Sequence, residues 1–92
     1  MTKADVINQI HNDTGIEKVI IQKTVEAFME TIKDSLVDGE NVYLRGFGSF
    51  NVKKRAEKTA RNISKNTTII IPAHNVPSFK PAQFFISMIK NT

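Results

Sequence analysis

The segment that most constrains this chain is residues 53–75, KKRAEKTARNISKNTTIIIPAHN, where a dense run of positive charge meets strand-forming residues. Between Lys53 and Lys65 lie six cations, Lys53, Lys54, Arg55, Lys58, Arg61 and Lys65, against one acid, Glu57. Phe50 and Val52 lead into this run and Ile69, Ile70 and Ile71 lead out, around a polar centre from Asn62 to Thr67 that suits a reversal. The pattern predicts a long two-stranded ribbon, with arms of about nine residues that reach on the order of 30 Å at roughly 3.3 Å per residue. A lone hairpin of that kind is marginal in water, so it is expected to order on a partner, and its charge makes that partner an anion.

A chain of 92 residues is expected to be one domain, here a body formed by 1–52 and 76–92 with 53–75 as the arm. Once the arm is set aside, the body is too small to be comfortably stable as a monomer. There is no cysteine, so neither a disulfide nor a thiolate zinc site can compensate. Burial against a second copy is the expected remedy. The start, Met-Thr-Lys-Ala-Asp, lacks the apolar run of a signal peptide, and no stretch approaches the roughly 20 apolar residues of a membrane span. A cytoplasmic, soluble protein is expected. The net charge of +4 conceals a segregation: residues 1–44 carry four basic and eight acidic side chains, residues 45–92 nine basic and one acidic. Such a directional field points to nucleic acid more than to general solubility.

In chain order, Thr2 followed by Asp5 reads as a capping box, Val6, Ile7, Ile10 and His11 fall at helical spacing, and Gly15 is a left-handed stop. A second helix follows, with Ile20, Ile21, Val25, Phe28, Met29, Ile32 and Leu36 as an apolar stripe, closed by Asp38-Gly39. The pair resembles a DNA-reading helix-turn-helix only superficially, because Glu26, Glu30 and Asp34 on the second helix repel phosphate. These helices read as scaffold. From Glu40 the period becomes two, and Gly46-Phe47-Gly48 reads as a tight reversal in which both glycines supply special backbone angles, with Phe47 and Phe50 turned into the core. The run Pro77-Ser78-Phe79-Lys80-Pro81 is expected to break the strand, with Pro81 in the first turn of a last helix carrying Ala82, Phe84, Phe85, Ile86, Met88 and Ile89. Apolar residues on nearly all sides of that helix again suggest a dimer.

Together the Asp38-Gly39 helix end, Arg45-Gly46-Phe47-Gly48-Ser49-Phe50, Arg61-Asn62 and the exit Val76-Pro77-Ser78-Phe79-Lys80-Pro81 resemble the bacterial histone-like HU and integration host factor family along the whole chain. The resemblance implies an α+β intertwined dimer with a helical base (two N-terminal helices and a short C-terminal one), a small antiparallel sheet and two β-ribbon arms. It implies a non-catalytic, nucleoid-associated protein that grips duplex DNA in the minor groove, bending and compacting it. On that basis the DNA-binding candidates are Lys53, Lys54, Arg55, Lys58, Thr59, Arg61, Asn62, Ile63 and Lys65 on the arm, with Arg45, Lys80 and Lys3 as outer phosphate contacts. The expected dimer core is Phe28, Phe47, Phe50, Phe79 and Phe85. The dimer is either a homodimer or a heterodimer with a paralogous subunit. The family's tip proline is replaced by Ile63, for which three roles stay open: intercalating wedge, groove contact without unstacking, or tolerated apolar tip.

Strict alternation puts Lys53, Arg55, Glu57, Thr59 and Arg61 on one ribbon face and Lys54 and Lys58 on the other, so either twist or a bulge must bring both sets to the ligand. The two histidines, His11 and His74, have no acid or nucleophile arranged around them in sequence, and neither catalysis, cofactor, metal nor small-molecule substrate is expected. The competing classes are a protein-interaction module that adds its ribbon to an acidic partner's sheet, and a structured-RNA binder. A membrane-surface role fits worse because the charge lies on strands.

Overall fold

The computed structural model describes residues 1–62 and 67–92, and the chain divides into two compact units, Met1–Asp34 and Ser35–Thr92. In the first unit, α1 (Lys3–Thr14) starts at the predicted capping box. The Thr2 hydroxyl accepts from the Asp5 N–H at 3.3 Å, and the Asp5 carboxylate accepts from the Thr2 N–H at 2.9 Å. The Thr2 N–H bond first, and then the Thr2 hydroxyl donating to the same carboxylate at 3.0 Å, hold the Asp5 carboxyl below its ordinary range, so their contribution is present above that range and is lost as pH falls through the lowered value. Gly15, at φ 74°, ends α1 with its N–H on the His11 carbonyl. The second helix, α2 (Lys18–Val37), crosses into the second unit and stops at Gly39, φ 81°. Of its apolar stripe, Ile21 and Ile32 are buried, together with Ile7 of α1. Ile20, Phe28 and Met29 remain open, so the stripe is wider than one chain covers.

The second unit continues through β1 (Val42–Leu44), β2 (Gly48–Arg55), β3 (Lys58–Asn62), β4 (Thr67–Ile71), β5 (His74–Pro81) and α3 (Gln83–Lys90). β1, β2 and β5 form an antiparallel sheet in that order, and β3 and β4 a two-stranded ribbon. Register puts Val42, Phe50 and Phe79 in one row across the sheet and Tyr43, Ser49 and Lys80 in the next. Because side chains alternate, one face is apolar (Val42, Leu44, Phe50, Val52, Phe79) and the other polar and basic (Ser49, Asn51, Lys53, Arg55, Lys80). The α+β class and the three helices are as the sequence leads one to expect.

Three expectations are corrected. The Pro77-to-Pro81 exit does not break the strand: β5 runs through it, Pro81 is its last residue, and Ala82 caps α3. The reason lies in which way the ladder points. The Val52 N–H is directed away from β5, to the side-chain oxygen of Asn41 at 3.0 Å, so the opposite residue, Pro77, has its nitrogen directed away from β2. Pro81, four positions on, is equivalent, and β5 is an edge strand, so neither proline removes a ladder bond.

The ribbon, second, is not one uninterrupted hairpin. Residues 56–57 and 72–73 separate the sheet from a paired outer segment of five residues per strand, roughly 17 Å at about 3.4 Å per residue. Pro72 has the opposite parity to Pro77, so in a continued ladder its position would have to donate to the partner strand, which proline cannot do, and the ladder is interrupted there. The register survives the gap: Arg55 pairs with His74 and Lys58 with Ile71, so equal numbers of residues are skipped on each side. No bulge resets the alternation, which leaves twist as the way both faces reach a ligand.

Third, Gly48 has no left-handed backbone; only Gly46 of the pair does, at φ 82°. A Cβ on Gly48 would lie 2.5 Å from the Lys80 carbonyl oxygen and 2.7 Å from the Phe79 ring. Its role is close approach of strands.

Candidate nucleic-acid interface

The basic side chains are displayed by the strand ladder itself. Lys53, Lys54 and Arg55 end β2, while Lys58, Thr59, Arg61 and Asn62 are carried by β3. Lys53, Lys54, Arg55, Lys58, Thr59 and Arg61 are all exposed. Among the described residues, no carboxylate lies within ion-pair distance of Lys53, Lys54, Arg55 or Lys58. Their charge is therefore compensated only by solvent ions, which an anionic polymer can displace. Opposite them β4 carries no charge, only Thr67, Thr68 and three exposed isoleucines, Ile69, Ile70 and Ile71. The ribbon thus has a cationic strand beside an apolar one, a pairing suited to phosphates on one side and sugar edges on the other. Ile63 and Lys65 lie outside the described residues.

The outer candidates fall into two groups. Arg45, in the β1–β2 turn, and Lys80, on β5, line the same open groove of about 550 Å³, with Tyr43, Ser49 and Gln83. The hydroxyls and the amide are additions that the spacing of charge alone does not reveal. Lys3 is differently placed: its ammonium lies 3.0 Å from Glu26 Oε1. Hydrogen bonds from Lys3 and then Gln22, with the Lys3 charge, hold the Glu26 carboxyl below its ordinary range. Lys3 is thus committed within its own unit, and among the outer candidates it has the least charge to offer phosphate.

The phenylalanines expected in the dimer core divide likewise. Phe50 and Phe79 meet at 4.9 Å between ring centroids, Phe79 and Phe47 at 5.3 Å, and Phe47 and Phe85 at 5.5 Å. Despite these contacts Phe47 stays half exposed within its own chain. Beside the cluster Phe79, Phe85, Ile86 and Ile89 wall an apolar hollow of about 340 Å³. Phe28 lies on α2 in the other unit and is 47% exposed. On α3, Phe84 and Ile89 are 69% and 63% exposed, so the amphipathic helix leaves large apolar side chains uncovered by its own chain.

Sequence reasoning passed over His74, whose place directly across from Arg55 is set by register and not by sequence proximity. His11 has a local explanation: its Nδ1–H donates to the Ile16 carbonyl at 2.6 Å and ties the end of α1 to the linker. Among the described residues no three potential metal ligands are grouped to hold an ion, and no helix is long and apolar enough to cross a membrane.

Comparison with known proteins agrees with this arrangement. The sequence profile of the family described as "Bacterial DNA-binding protein" matches residues 1–90. The chain is 37% identical over 91 residues to integration host factor subunit alpha of Aliivibrio fischeri, covering 99% of this chain and 93% of that one. It is 34% identical over 90 residues to DNA-binding protein HU of Thermus thermophilus, covering 98% and 93%. Its fold superposes on HU in an Anabaena HU–DNA cocrystal structure with a TM-score of 0.94 at 28% identity, over the full length of both chains. A cationic strand ribbon on a small α+β body, matched end to end in sequence and in fold, makes this chain a member of the bacterial DNA-binding protein family of HU and integration host factor.

Proposed function

We propose that the protein is a non-catalytic architectural DNA-binding protein that grips duplex DNA with its basic ribbons in the minor groove and thereby bends and compacts it. The observation that carries this reading is the set of exposed cations at Lys53, Arg55 and Lys58, on both faces of a narrow ribbon and unneutralised by any carboxylate among the described residues. Phosphate contacts of this kind supply affinity and position without choosing sequence. Arg61, near the end of β3, is assigned to the groove floor, where a guanidinium meets the potential of A·T-rich segments. The described arm strands carry no aromatic side chain, which weighs against stacking on RNA loops.

Residues 1–92 are read as one DNA-binding domain, with 53–75 as the arm, acting in the bacterial cytoplasm on the nucleoid. The active species is a dimer, with the half-exposed Phe28 and the open face of α3 covered by the second subunit. Sedimentation at micromolar concentration is expected to give twice the chain mass of 10.4 kDa; a folded monomer there would remove the dimer.

The direct test is energy transfer between dyes on the ends of a short duplex, titrated with wild type, Ile63→Ala and Arg61→Ala, with Lys90→Ala as control. Wild type is expected to bring the ends together. Arg61→Ala should weaken binding by about tenfold, roughly the 1–3 kcal/mol of a good groove contact, and Lys90→Ala by less than about twofold. Equal losses in the two variants would move the site off the arm. Ile63→Ala, if it binds without shortening the distance, identifies Ile63 as the wedge.

A further inference from the structure

We infer that His74 is a proton-dependent phosphate contact at the root of the arm, an inference that rests on the DNA-binding reading above. His74 opens β5 directly opposite Arg55, and directly opposed residues in an antiparallel pair project from the same face. The next residues on that face are Lys53 and Val76, themselves a register pair. The imidazole is exposed and stands at the inner edge of the gap where residues 72–73 leave the ladder. The register therefore assembles Lys53, Arg55 and His74 into one surface cluster, although His74 is some twenty residues away along the chain.

Which ring nitrogen faces outward is decided by chemistry. His74 Nδ1 lies 2.9 Å from the Pro72 carbonyl oxygen, which can only accept, so Nδ1 carries the hydrogen and the lone pair of the neutral ring is on Nε2. Neutral, the ring offers a lone pair at Nε2 and repels a phosphate oxygen. Protonated, it offers an N–H and a positive charge without giving up the Pro72 bond. The charged groups on the same face of the opposing strand are Arg55 and Lys53, with Glu57 in the unpaired stretch beyond Arg55; Lys80 is further along β5 itself. A phosphate held by Lys53 and Arg55 brings an oxygen to the ring that only the protonated imidazole can bond through Nε2. Protonation and DNA binding then strengthen one another by linkage.

The chain contains only two histidines, which makes the test clean. Binding of a labelled duplex of about 20 base pairs is measured by fluorescence anisotropy at constant ionic strength from pH 5.5 to 7.5, the window in which imidazoles change charge. Wild type, His74→Gln, His74→Lys and His11→Gln are compared, the amino terminus being common to all four. Wild type should bind about three- to tenfold more tightly at pH 5.5 than at pH 7.5, with a salt slope steeper by roughly one per arm engaged. His74→Gln should lose that dependence while staying within about twofold of wild type at pH 7.5, and His74→Lys should hold the tight state at both pH values. His11→Gln should follow wild type. DNA binding by wild type that is flat with pH, or a pH dependence that persists in His74→Gln, overturns the assignment and leaves the architectural reading intact. Absence of duplex binding at low salt at every pH removes both.

Discussion

A Lys53→Ala/Arg55→Ala/Lys58→Ala variant is expected to lose at least about a hundredfold in affinity for duplex DNA near 0.1 M salt, with its fold intact. The three side chains are exposed and make no ion pair among the described residues, so their removal deprives the body of no partner. Each cation bound to a phosphate releases close to one condensed counterion, and in a two-armed dimer the triple substitution removes six contacts. The slope of log affinity against log salt should therefore flatten by about five. The slope is the sharper measurement, because it counts phosphates independently of how strongly each is held. A variant that weakens binding with an unchanged slope would show that these residues act through the arm's conformation and not through charge. Lys3→Ala is the contrast: Lys3 is already engaged by Glu26, so its loss should barely alter the slope.

The second large effect is on stability. Gly48→Ala is expected to lower stability by about 2–3 kcal/mol and the melting temperature by roughly 10–20 °C. The added methyl would sit 2.5 Å from the Lys80 carbonyl oxygen. That oxygen is backbone of the neighbouring strand and cannot swing aside, and the Phe79 ring at 2.7 Å is held by Phe47 and Phe50. Relief requires β2 and β5 to part where the aromatic cluster is assembled. Gly39→Ala provides the comparison, since nothing lies within 4 Å of a Cβ there and only the strain of φ 81° opposes it, about 1 kcal/mol. Thermal melts of the two variants separate crowding from backbone strain. A Gly48→Ala protein that melts within a few degrees of wild type would show that β2 and β5 part at Gly48 at little cost.

Much of the architecture was legible from local chemistry. Thr2 and Asp5 define a helix start because both partners of the capping box lie within one turn, and Gly15 and Gly39 end helices because left-handed backbone is costly for any other common residue. The arm was legible from charge density and β-propensity between Lys53 and Ile71. Less accessible were side chains brought together by pairing. Nothing near His74 in sequence announces Arg55, and nothing near Arg45 announces Lys80; both meetings are set by register.

The prolines show where sequence stops and tertiary structure begins. By itself the sequence determined that Pro72, Pro77 and Pro81 each lack a donor at φ near −65°. It left undecided which of them interrupts the strand. The tertiary ladder decides, because in an antiparallel pair alternate residues direct their N–H toward the partner. Pro77 and Pro81 fall where that direction is outward, at the edge of the sheet, and β5 passes through them; Pro72 falls where a donor is required, and there the arm separates from the body.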